Sequence, residues 1–318
     1  MTKSINKLLA NRSLPSFLKS RSGWVKLFEM KRSSEPHLHQ IEPTNSCPYS
    51  CIMCPRTDKM KRSIGFMNLD LFNKVIDEVC TYSSVTREKE IELFHFGESL
   101  LHPQIMDMTD YAVSAGLKIV LSVNAPKFTA EKAEQLFKIG VRKIIISLDG
   151  YDSVSYTRLR GEHADYKQAV KNITEIADLH SRMKPKTELI VRMIILKDNV
   201  NHAINFKKNW EKHGMKVELR DFFPWGEKDM VKLGKFEKYP PFMPCPFPWQ
   251  YVVVQWNGDV VACCRDYNGV NVMGNIKNLS LKEIWNGPIY EQFRKNMTTG
   301  DYDNSICPSC MDIYYREV

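Results

Sequence analysis

Long apolar segments are absent from this sequence. No apolar run approaches the ~20 residues that a helix needs to span a bilayer, so we expect no transmembrane segment. Residues 1–23 lack a continuous apolar core and a small-residue cleavage site, which argues against a secretory signal. Low-complexity tracts are absent too, and 43% hydrophobic and 26% charged residues among 318 are typical of a globular protein with one large and one small domain. We therefore expect a cytoplasmic globular protein.

Acidic residues are scarce in residues 1–37, within a chain whose formal net charge is +8. Only Glu29 and Glu35 oppose the lysines and arginines of this basic N-terminal extension. Such an arm could contact nucleic acid or an anionic membrane, and a zinc protein that binds nucleic acid is one alternative interpretation. We expect instead that the extension packs against the outside of the main domain, and we do not expect nucleic acid as a partner.

Cysteine is plentiful for a cytoplasmic protein. Nine cysteines in a reducing compartment indicate metal or redox chemistry rather than structural disulfides. They form a group of three in one loop, a group of four towards the C-terminus, and two others: Cys47, Cys51 and Cys54; Cys245, Cys263, Cys307 and Cys310; and Cys80 and Cys264.

The first group has the spacing CxxxCxxC. Thiolates are the usual ligands of iron–sulfur clusters and of zinc. A four-iron cluster has four ligand positions, so three cysteines leave one iron open to a molecule that is not protein. A zinc knuckle completed by a distant histidine and a loop disulfide are the alternatives, but zinc sites usually contain CxxC pairs.

Strand and helix patterns alternate from residue 38 to about 222. Short β-branched runs predict strands, and amphipathic periodicity predicts helices between them. Glycine ends three of the helical segments, as expected of a left-handed helix terminator (Gly116, Gly140, Gly214). Such alternation indicates parallel strands with right-handed crossovers, and six units predict an α/β fold, a partial (β/α)6 TIM-like barrel. The predicted strands are 38–42, 90–95, 118–123, 143–148, 187–196 and 216–221, and the predicted helices are 69–82, 104–115, 130–139, 164–180 and 201–213.

Polar residues collect where the predicted strands end, which is the edge at which βα barrels place their chemistry. The cysteine loop follows the first strand, and the other strands are followed or closed by Gly97, Glu98, Asn124, Ser147, Asp149, Arg220 and Asp221. Each has an ordinary alternative. Glu98 could start a helix, and Arg160, in the segment after the fourth strand, could form a surface salt bridge.

The C-terminal region changes character after residue 235. A β-hairpin is predicted from 251–255 and 259–262, joined through Asn257-Gly258, which is a strong hairpin signal. Cys245 and Cys263 can meet at one end of this hairpin, and Cys307 and Cys310 supply a CxxC pair. Four such thiolates fit either structural zinc or a fully ligated iron–sulfur cluster.

The cysteine loop, the Gly97-Glu98 segment and the Ile146-Ser-Leu-Asp-Gly150 segment resemble those of radical SAM enzymes. The resemblance implies a (β/α)6 core and a [4Fe–4S] cluster whose open iron binds S-adenosylmethionine (SAM). It further implies reductive cleavage of SAM to a 5′-deoxyadenosyl radical that abstracts hydrogen from a substrate. The positions that it implies contact SAM are Met53, Gly97, Glu98, Asn124, Ser147 and Arg160.

Residues 245–310, with Gly274-Asn275-Ile276 and Glu283-Ile284-Trp285, resemble the SPASM/Twitch extension of such enzymes, close to the 2-deoxy-scyllo-inosamine dehydrogenase type. The resemblance implies one auxiliary [4Fe–4S] cluster, because no cysteine follows Cys310. The expected division is an extension at 1–37, a radical SAM partial barrel at 38–235 and a small hairpin-plus-helix Twitch/SPASM-like domain at 236–318.

A closed auxiliary cluster suggests electron transfer, and so oxidation of a small polar substrate such as a sugar or aminocyclitol. Arg192, Arg220 and Asp221 are candidates for a base or hydrogen-bonding partner near the substrate, with ion pairing as their ordinary role. Cys264 could instead return a hydrogen atom, which would make the protein an epimerase. Modification of a peptide or protein stays open as well. A reducing protein such as flavodoxin or ferredoxin is the expected electron donor.

Overall fold

The computed structural model describes residues 15–236, 238–239, 243–302 and 305–315. Its centre is one nine-stranded sheet in the order β6-β5-β4-β3-β2-β1-β7-β8-β9. The strands are β1 (Leu38–Ile41), β2 (Glu90–Glu92), β3 (Lys118–Asn124), β4 (Lys143–Ser147), β5 (Glu188–Ile195), β6 (Lys216–Asp221), β7 (Val252–Val254), β8 (Asp259–Val261) and β9 (Val272–Asn275).

Helices connect and cover these strands. The α-helices are α1 (Arg21–Lys31), α2 (Leu69–Cys80), α3 (Ser84–Arg87), α4 (Ile105–Ser114), α5 (Ala130–Ile139), α6 (Ser153–Arg160), α7 (Tyr166–Met183), α8 (Ala203–Lys212), α9 (Leu281–Trp285), α10 (Pro288–Thr299) and α11 (Cys307–Tyr314). Short 3-10 turns occupy Ser16–Lys19, Ser99–Leu101, Ala125–Lys127, Val200–His202, Lys228–Leu233 and Phe247–Trp249.

Strands β1 to β6 pair in parallel, each with the next along the chain. The sheet is open rather than closed into a barrel, so the predicted partial (β/α)6 architecture is confirmed. The register aligns Asn124 of β3 with Ser147 of β4, and Ser147 with Arg192 of β5. Three polar residues from the sequence prediction therefore form one row across neighbouring strands.

The C-terminal hairpin continues the same sheet. Strand β7 pairs in parallel with β1, placing Leu38 opposite Val252, and β8 and β9 follow in antiparallel order. The predicted hairpin is present, slightly shorter at both strands, whereas β9 and the pairing with β1 were not predicted. The division into domains at residue 235 stays a prediction.

The described part of the N-terminal extension packs against the C-terminal segment. Trp24 and Phe28 of α1 are fully buried, and the Phe28 ring lies 5.5 Å from the Trp249 ring, centroid to centroid. Met297 and Tyr314 belong to the same apolar cluster. The expectation that this extension covers the outside of the barrel is therefore wrong for α1, because its apolar face is matched by the C-terminal aromatics. Glu35 and His37 do contact the barrel: Glu35 accepts from Ser83, and His37 Nε2 lies 3.0 Å from the Glu90 carbonyl. Residues 1–14 lie outside the described part.

Candidate active site

The cysteine loop follows β1 and is folded back by a single arginine. The Nη2 atom of Arg56 donates to the carbonyls of Cys47 at 2.8 Å and Tyr49 at 2.7 Å. The backbone N–H of Cys54 donates to the Cys51 carbonyl at 3.1 Å, which closes a tight turn between these two cysteines. The loop conformation is thus fixed by its own backbone hydrogen bond and by the guanidinium of Arg56.

The end of α6 holds the other side of the loop. Backbone N–H groups of Ser50 and Ile52 donate to the carbonyls of Arg160 and Leu159 at 3.2 and 3.1 Å. Gly161 follows, with φ +92°, and a Cβ at that position would lie 2.0 Å from Ser50 Oγ. Only glycine therefore allows this approach between the helix end and the cysteine loop.

The three thiols of the loop fit three of the four ligand positions of a four-iron cluster. Burial raises the pKa of Cys47 to about 11 and that of Cys54 to about 12, and it raises the pKa of Cys51 as well. Thiolates at such a site need a compensating metal charge. Among the described residues, no three His, Cys, Asp or Glu side chains could hold one metal ion together. A four-iron cluster spreads its thiolates over the corners of a cube, so its ligands need not converge on one point.

A buried polar chain lies behind the loop. The backbone N–H and Nδ2 of Asn124 donate to Glu98 Oε2 at 2.7 and 2.5 Å. Arg160 donates to Asn124 Oδ1, and its Nη2 lies 2.5 Å from Asp149 Oδ2. Glu98 and Asp149 are fully buried, and burial raises the pKa of Glu98. Arg160 is 6% exposed, so its alternative as a surface salt bridge is wrong.

Most of the sequence-predicted site residues line one cavity of about 210 Å³. Glu98 does not line it and acts through Asn124 instead. Trp225, which was not predicted, lines the cavity and donates from Nε1 to the Met53 carbonyl at 2.9 Å. No sequence signal marks Trp225, because it lies in an irregular segment after β6. The predicted residues that the cavity brings together are Cys47, Cys51, Cys54, Met53, Gly97, Asn124, Ser147, Arg160, Arg192, Arg220 and Asp221.

A second, larger cavity of about 1070 Å³ adjoins the first. Both are lined by Arg220, Asp221, Phe223 and Trp225, so the two spaces share a wall. Ionisable and aromatic side chains surround the larger space, among them His39, Glu92, Glu218, Phe247, Trp249 and Tyr251.

The candidate substrate-binding residues differ in how firmly they are held. Arg192 donates from Nε to Glu218 Oε2 at 2.8 Å, and its Nη2 lies 2.7 Å from the same oxygen. Burial and the positive charge of Arg220 lower the pKa of Arg192. Arg220 and Asp221 are exposed to the cavities, and neither forms an ion pair with any residue in the described ranges. These two side chains are available to a substrate, whereas Arg192 is engaged with Glu218.

Cys245 interacts electrostatically with each of the other three C-terminal cysteines. Cys245 precedes the Phe247–Trp249 turn, Cys263 follows β8, and Cys307 and Cys310 lie in the first turn of α11. Burial raises the pKa of Cys245 to about 11 and that of Cys307 to about 12, and Cys310 contributes electrostatically in both cases. The donor set fits an iron–sulfur cluster held entirely by protein.

Cys264 lies beside Cys263, and the two thiols hydrogen-bond to each other. It lines the larger cavity, and Tyr251 Oη lies within hydrogen-bonding distance of its Sγ at 3.3 Å. Its carbonyl is 2.9 Å from His95 Nε2. Cys264 therefore contacts both the larger cavity and Cys263.

Two family models match the sequence. The model of the Radical SAM superfamily matches residues 41–204. The chain belongs to the radical SAM superfamily. The model of SPASM, an iron–sulfur cluster-binding domain, matches residues 245–311. Both resemblances noted in the sequence are therefore confirmed.

Relatives of this radical SAM protein cover most of its length. It is 24% identical over 87% of the chain to the tungsten-containing aldehyde ferredoxin oxidoreductase cofactor-modifying protein of Pyrococcus furiosus, covering 87% of that protein. It is 21% identical over 86% of the chain to the S-adenosyl-L-methionine-dependent 2-deoxy-scyllo-inosamine dehydrogenase of Niallia circulans, covering 92% of it. The structure of Streptococcus suis SuiB bound to S-adenosylmethionine matches with TM-score 0.67 and 13% identity, over 92% of this chain and 79% of that one.

These matches establish the cofactors. The radical SAM domain implies SAM with a [4Fe–4S] cluster, and the SPASM domain implies auxiliary iron–sulfur chemistry. When bound, SAM and a reduced [4Fe–4S] cluster would supply a carbon-centred radical able to take a hydrogen atom from a substrate. No helix in the described ranges has the length and apolar character needed to cross a membrane. Cytoplasmic location stays a prediction.

Proposed function

We propose that the protein oxidises a small polar substrate, a sugar or an aminocyclitol, with an auxiliary cluster at Cys245, Cys263, Cys307 and Cys310 as electron acceptor. The main support for the proposal is that the two cavities share a wall, formed by Arg220, Asp221, Phe223 and Trp225. The smaller cavity is lined by the cysteine loop, and the larger one is lined by Cys264 and Arg265, directly after Cys263. A substrate in the shared region would face the cysteine loop on one side and the residues directly after Cys263 on the other.

Arg220 and Asp221 are the residues proposed to handle the substrate. Oxidation of an alcohol to a ketone removes a hydrogen atom from carbon, a proton from oxygen and one further electron. The Asp221 carboxylate can accept that proton, and the Arg220 guanidinium can hold the oxygen, because both side chains face the cavities. Arg192 lies on the neighbouring strand β5, opposite Glu218 of β6, which holds it beside the positive charge of Arg220.

A peptide substrate is the second candidate, and the volume of the larger cavity favours it. A space of about 1070 Å³ is at the upper end of the range for small-molecule sites. Aromatic side chains such as Trp249 and Tyr251 would contact an apolar side chain of a peptide. The same walls can also stack on the apolar face of a sugar ring.

Epimerisation is the remaining candidate, and the placement of Cys264 at the larger cavity favours it. An epimerase returns a hydrogen atom to the substrate carbon and leaves its oxidation state unchanged. The Cys264 thiol is a possible donor of that atom, since Tyr251 orients it from one side.

The test uses the anaerobically reconstituted protein with SAM and dithionite, which replaces a physiological donor such as flavodoxin or ferredoxin. 2-Deoxy-scyllo-inosamine and a panel of sugars are the small probes, and synthetic peptides are the alternative. Stimulated 5′-deoxyadenosine formation with a ketone product from a small probe supports the proposal. Stimulation by peptides alone replaces it with peptide modification, and absence of 5′-deoxyadenosine in every mixture contradicts the proposed activity.

Deuterium incorporation separates oxidation from epimerisation. In D2O an exchangeable thiol donor places deuterium on the product carbon, whereas oxidation yields a ketone without it. Cys264→Ala abolishes the deuterated product if the protein is an epimerase and leaves ketone formation intact if it is a dehydrogenase. Cys80→Ala is the matched control, because Cys80 is half-buried at the end of α2 and lines neither cavity.

A further inference from the structure

Arg265 is a buried cation among the C-terminal cysteines. It is 2% exposed, and its guanidinium carbon lies 4.0 Å from the centre of the Phe223 ring and 3.9 Å from that of Tyr314. Its Nη1 donates to Cys310 Sγ at 3.0 Å, and its backbone N–H donates to Cys263 Sγ at 3.3 Å. The side chain of Arg265 thus reaches one cysteine while its backbone reaches another.

The counter-charge of this guanidinium is not a carboxylate. No Asp or Glu in the described ranges forms an ion pair with Arg265, and the neighbouring Asp266 accepts from the backbone N–H groups of Val270 and Asn271 instead. Arginine stays protonated inside proteins, and a buried charge without a partner is strongly destabilising. The Nε atom also lacks a hydrogen-bond partner. The groups placed to balance the charge are the cysteine sulfurs.

We propose that Arg265 sets the reduction potential of the auxiliary cluster through Cys310. A hydrogen bond and a positive charge at a ligand sulfur favour the more negative, reduced form of an iron–sulfur cluster. Arg265 therefore makes the cluster a better electron acceptor, as oxidation of a substrate requires. This inference rests on the proposed ligand role of the four cysteines. Arg265 is a positioning residue, since it acts through the ligand.

Arg294 provides the matched control. It is 3% exposed and is also packed on two aromatic rings, 4.2 Å from the centre of Trp285 and 4.3 Å from that of Tyr290. Its Nε and Nη1 atoms donate to the carbonyls of Pro248 and Trp285, each at 2.9 Å. Arg294 thus shares the burial and the aromatic packing of Arg265 but contacts no thiol.

The experiment measures the potential of the auxiliary cluster alone. Cys47, Cys51 and Cys54 are replaced by alanine in the full-length chain, which is reconstituted and titrated with dithionite under electron paramagnetic resonance. We expect Arg265→Met to lower the reduced-to-oxidised ratio at a fixed potential at least tenfold, which equals 59 mV for a one-electron couple. We expect Arg265→Lys to show a smaller decrease, and Arg294→Met to leave the potential unchanged.

Two results overturn the inference. One is an unchanged potential in Arg265→Met with about four irons retained, as one four-iron cluster requires. The other is an equal decrease in Arg294→Met, which would trace the effect to lost packing. If Arg265→Met loads no iron, the reduction potential of Arg265→Lys is the deciding measurement. An unchanged potential in Arg265→Lys then rejects the proposal that the guanidinium of Arg265 sets it. A parent protein without iron contradicts the proposed auxiliary cluster itself, and with it this inference.

Discussion

Both terminal nitrogens of Arg62 donate to the carboxylate of Glu42, each at a distance of 2.8 Å. Glu42 is the first residue after β1. Arg62 also donates from Nε to the Tyr267 carbonyl at 2.7 Å, and the Trp256 N–H donates to Glu42 at 3.3 Å. Burial alone would raise the pKa of Glu42, but hydrogen bonds from His95 and Arg62 lower it to about 2. This buried pair therefore ties the first strand to the segment that carries the auxiliary cysteines.

We expect Glu42→Gln to destabilise the protein by about 3–5 kcal/mol, because it leaves the Arg62 charge buried without its partner. The measurement is the free energy of unfolding in urea. The surface pair Glu134–Lys138, whose side chains are 44% and 66% exposed, is the control, and Glu134→Gln should cost less than ~1 kcal/mol. Equal effects of the two substitutions would show that the buried pair does not join these segments.

We expect Gly161→Ala to lose the first cluster. The added Cβ would collide with Ser50 inside the cysteine loop, at a φ that alanine rarely adopts. Gly214 is the control, since it has φ +73° but nothing within 4 Å of a built Cβ. Gly214→Ala should cost about 1–2 kcal/mol in stability and retain all iron. Full iron content in Gly161→Ala would contradict the proposed contact between α6 and the loop.

We expect Asn124→Ala to raise the Kd for SAM at least tenfold. The substitution removes the hydrogen bond that Asn124 donates to Glu98 and the one that it accepts from Arg160. Hydrogen bonds to charged groups contribute about 1.5–3 kcal/mol each. Equilibrium dialysis of SAM with the reconstituted, unreduced protein measures this Kd. Asn172→Ala is the control, because Asn172 is buried and donates to the Ala125 carbonyl without lining the smaller cavity. Similar Kd values in both variants would contradict a SAM contact at Asn124.

We expect stability to fall as the pH is lowered from 6.5 towards 4. Burial lowers the pKa of His37 from 6.5 to about 4, so the unfolded chain binds more protons in this interval. The shift corresponds to a contribution of about 3 kcal/mol to the free energy of unfolding. This contribution is complete above pH 6.5 and is lost at lower pH, as His37 of the unfolded state takes up its proton. Urea midpoints of the apoprotein at pH 7 and 4.5 measure the change.

His37→Gln should make this pH dependence smaller, because glutamine does not titrate but can keep a hydrogen bond like that to the Glu90 carbonyl. Replacing the exposed His163 by Gln controls for loss of a histidine as such. An unchanged difference between pH 7 and 4.5 in His37→Gln would reject the assignment.

The sequence predicted strands β1 to β6, and continuous β-branched runs such as Lys143–Ser147 are typical of strands covered on both faces. It did not predict α6, which is short and mostly polar. Strand β9 was also missed, since Gly274 and Asn275 are rare within strands. The pairing of β7 with β1 joins segments far apart in the chain, and local periodicity carries no information on such a pairing.

Parts of the candidate site could likewise be predicted from the sequence, and other parts could not. The spacing of the cysteine loop is local and could be read directly, whereas the group from Cys245 to Cys310 was assigned through the resemblance. The residues following the parallel strands were expected to meet at one edge. The position of Glu98 behind Asn124 depends on side-chain geometry that spacing does not encode. Contact between Arg265 and Cys310 requires the fold to bring α11 against the end of β8, 45 residues away.

We propose that the chain holds two separate four-iron clusters, one at each cysteine group. The most direct test is the iron, sulfide and zinc content of the anaerobically reconstituted protein and of two variants, each with one cysteine group replaced by alanine. We predict about eight irons in the parent and about four in each variant, as two four-iron clusters require. Four irons with bound zinc in the parent, or no loss of iron on replacing the C-terminal group, would contradict the account.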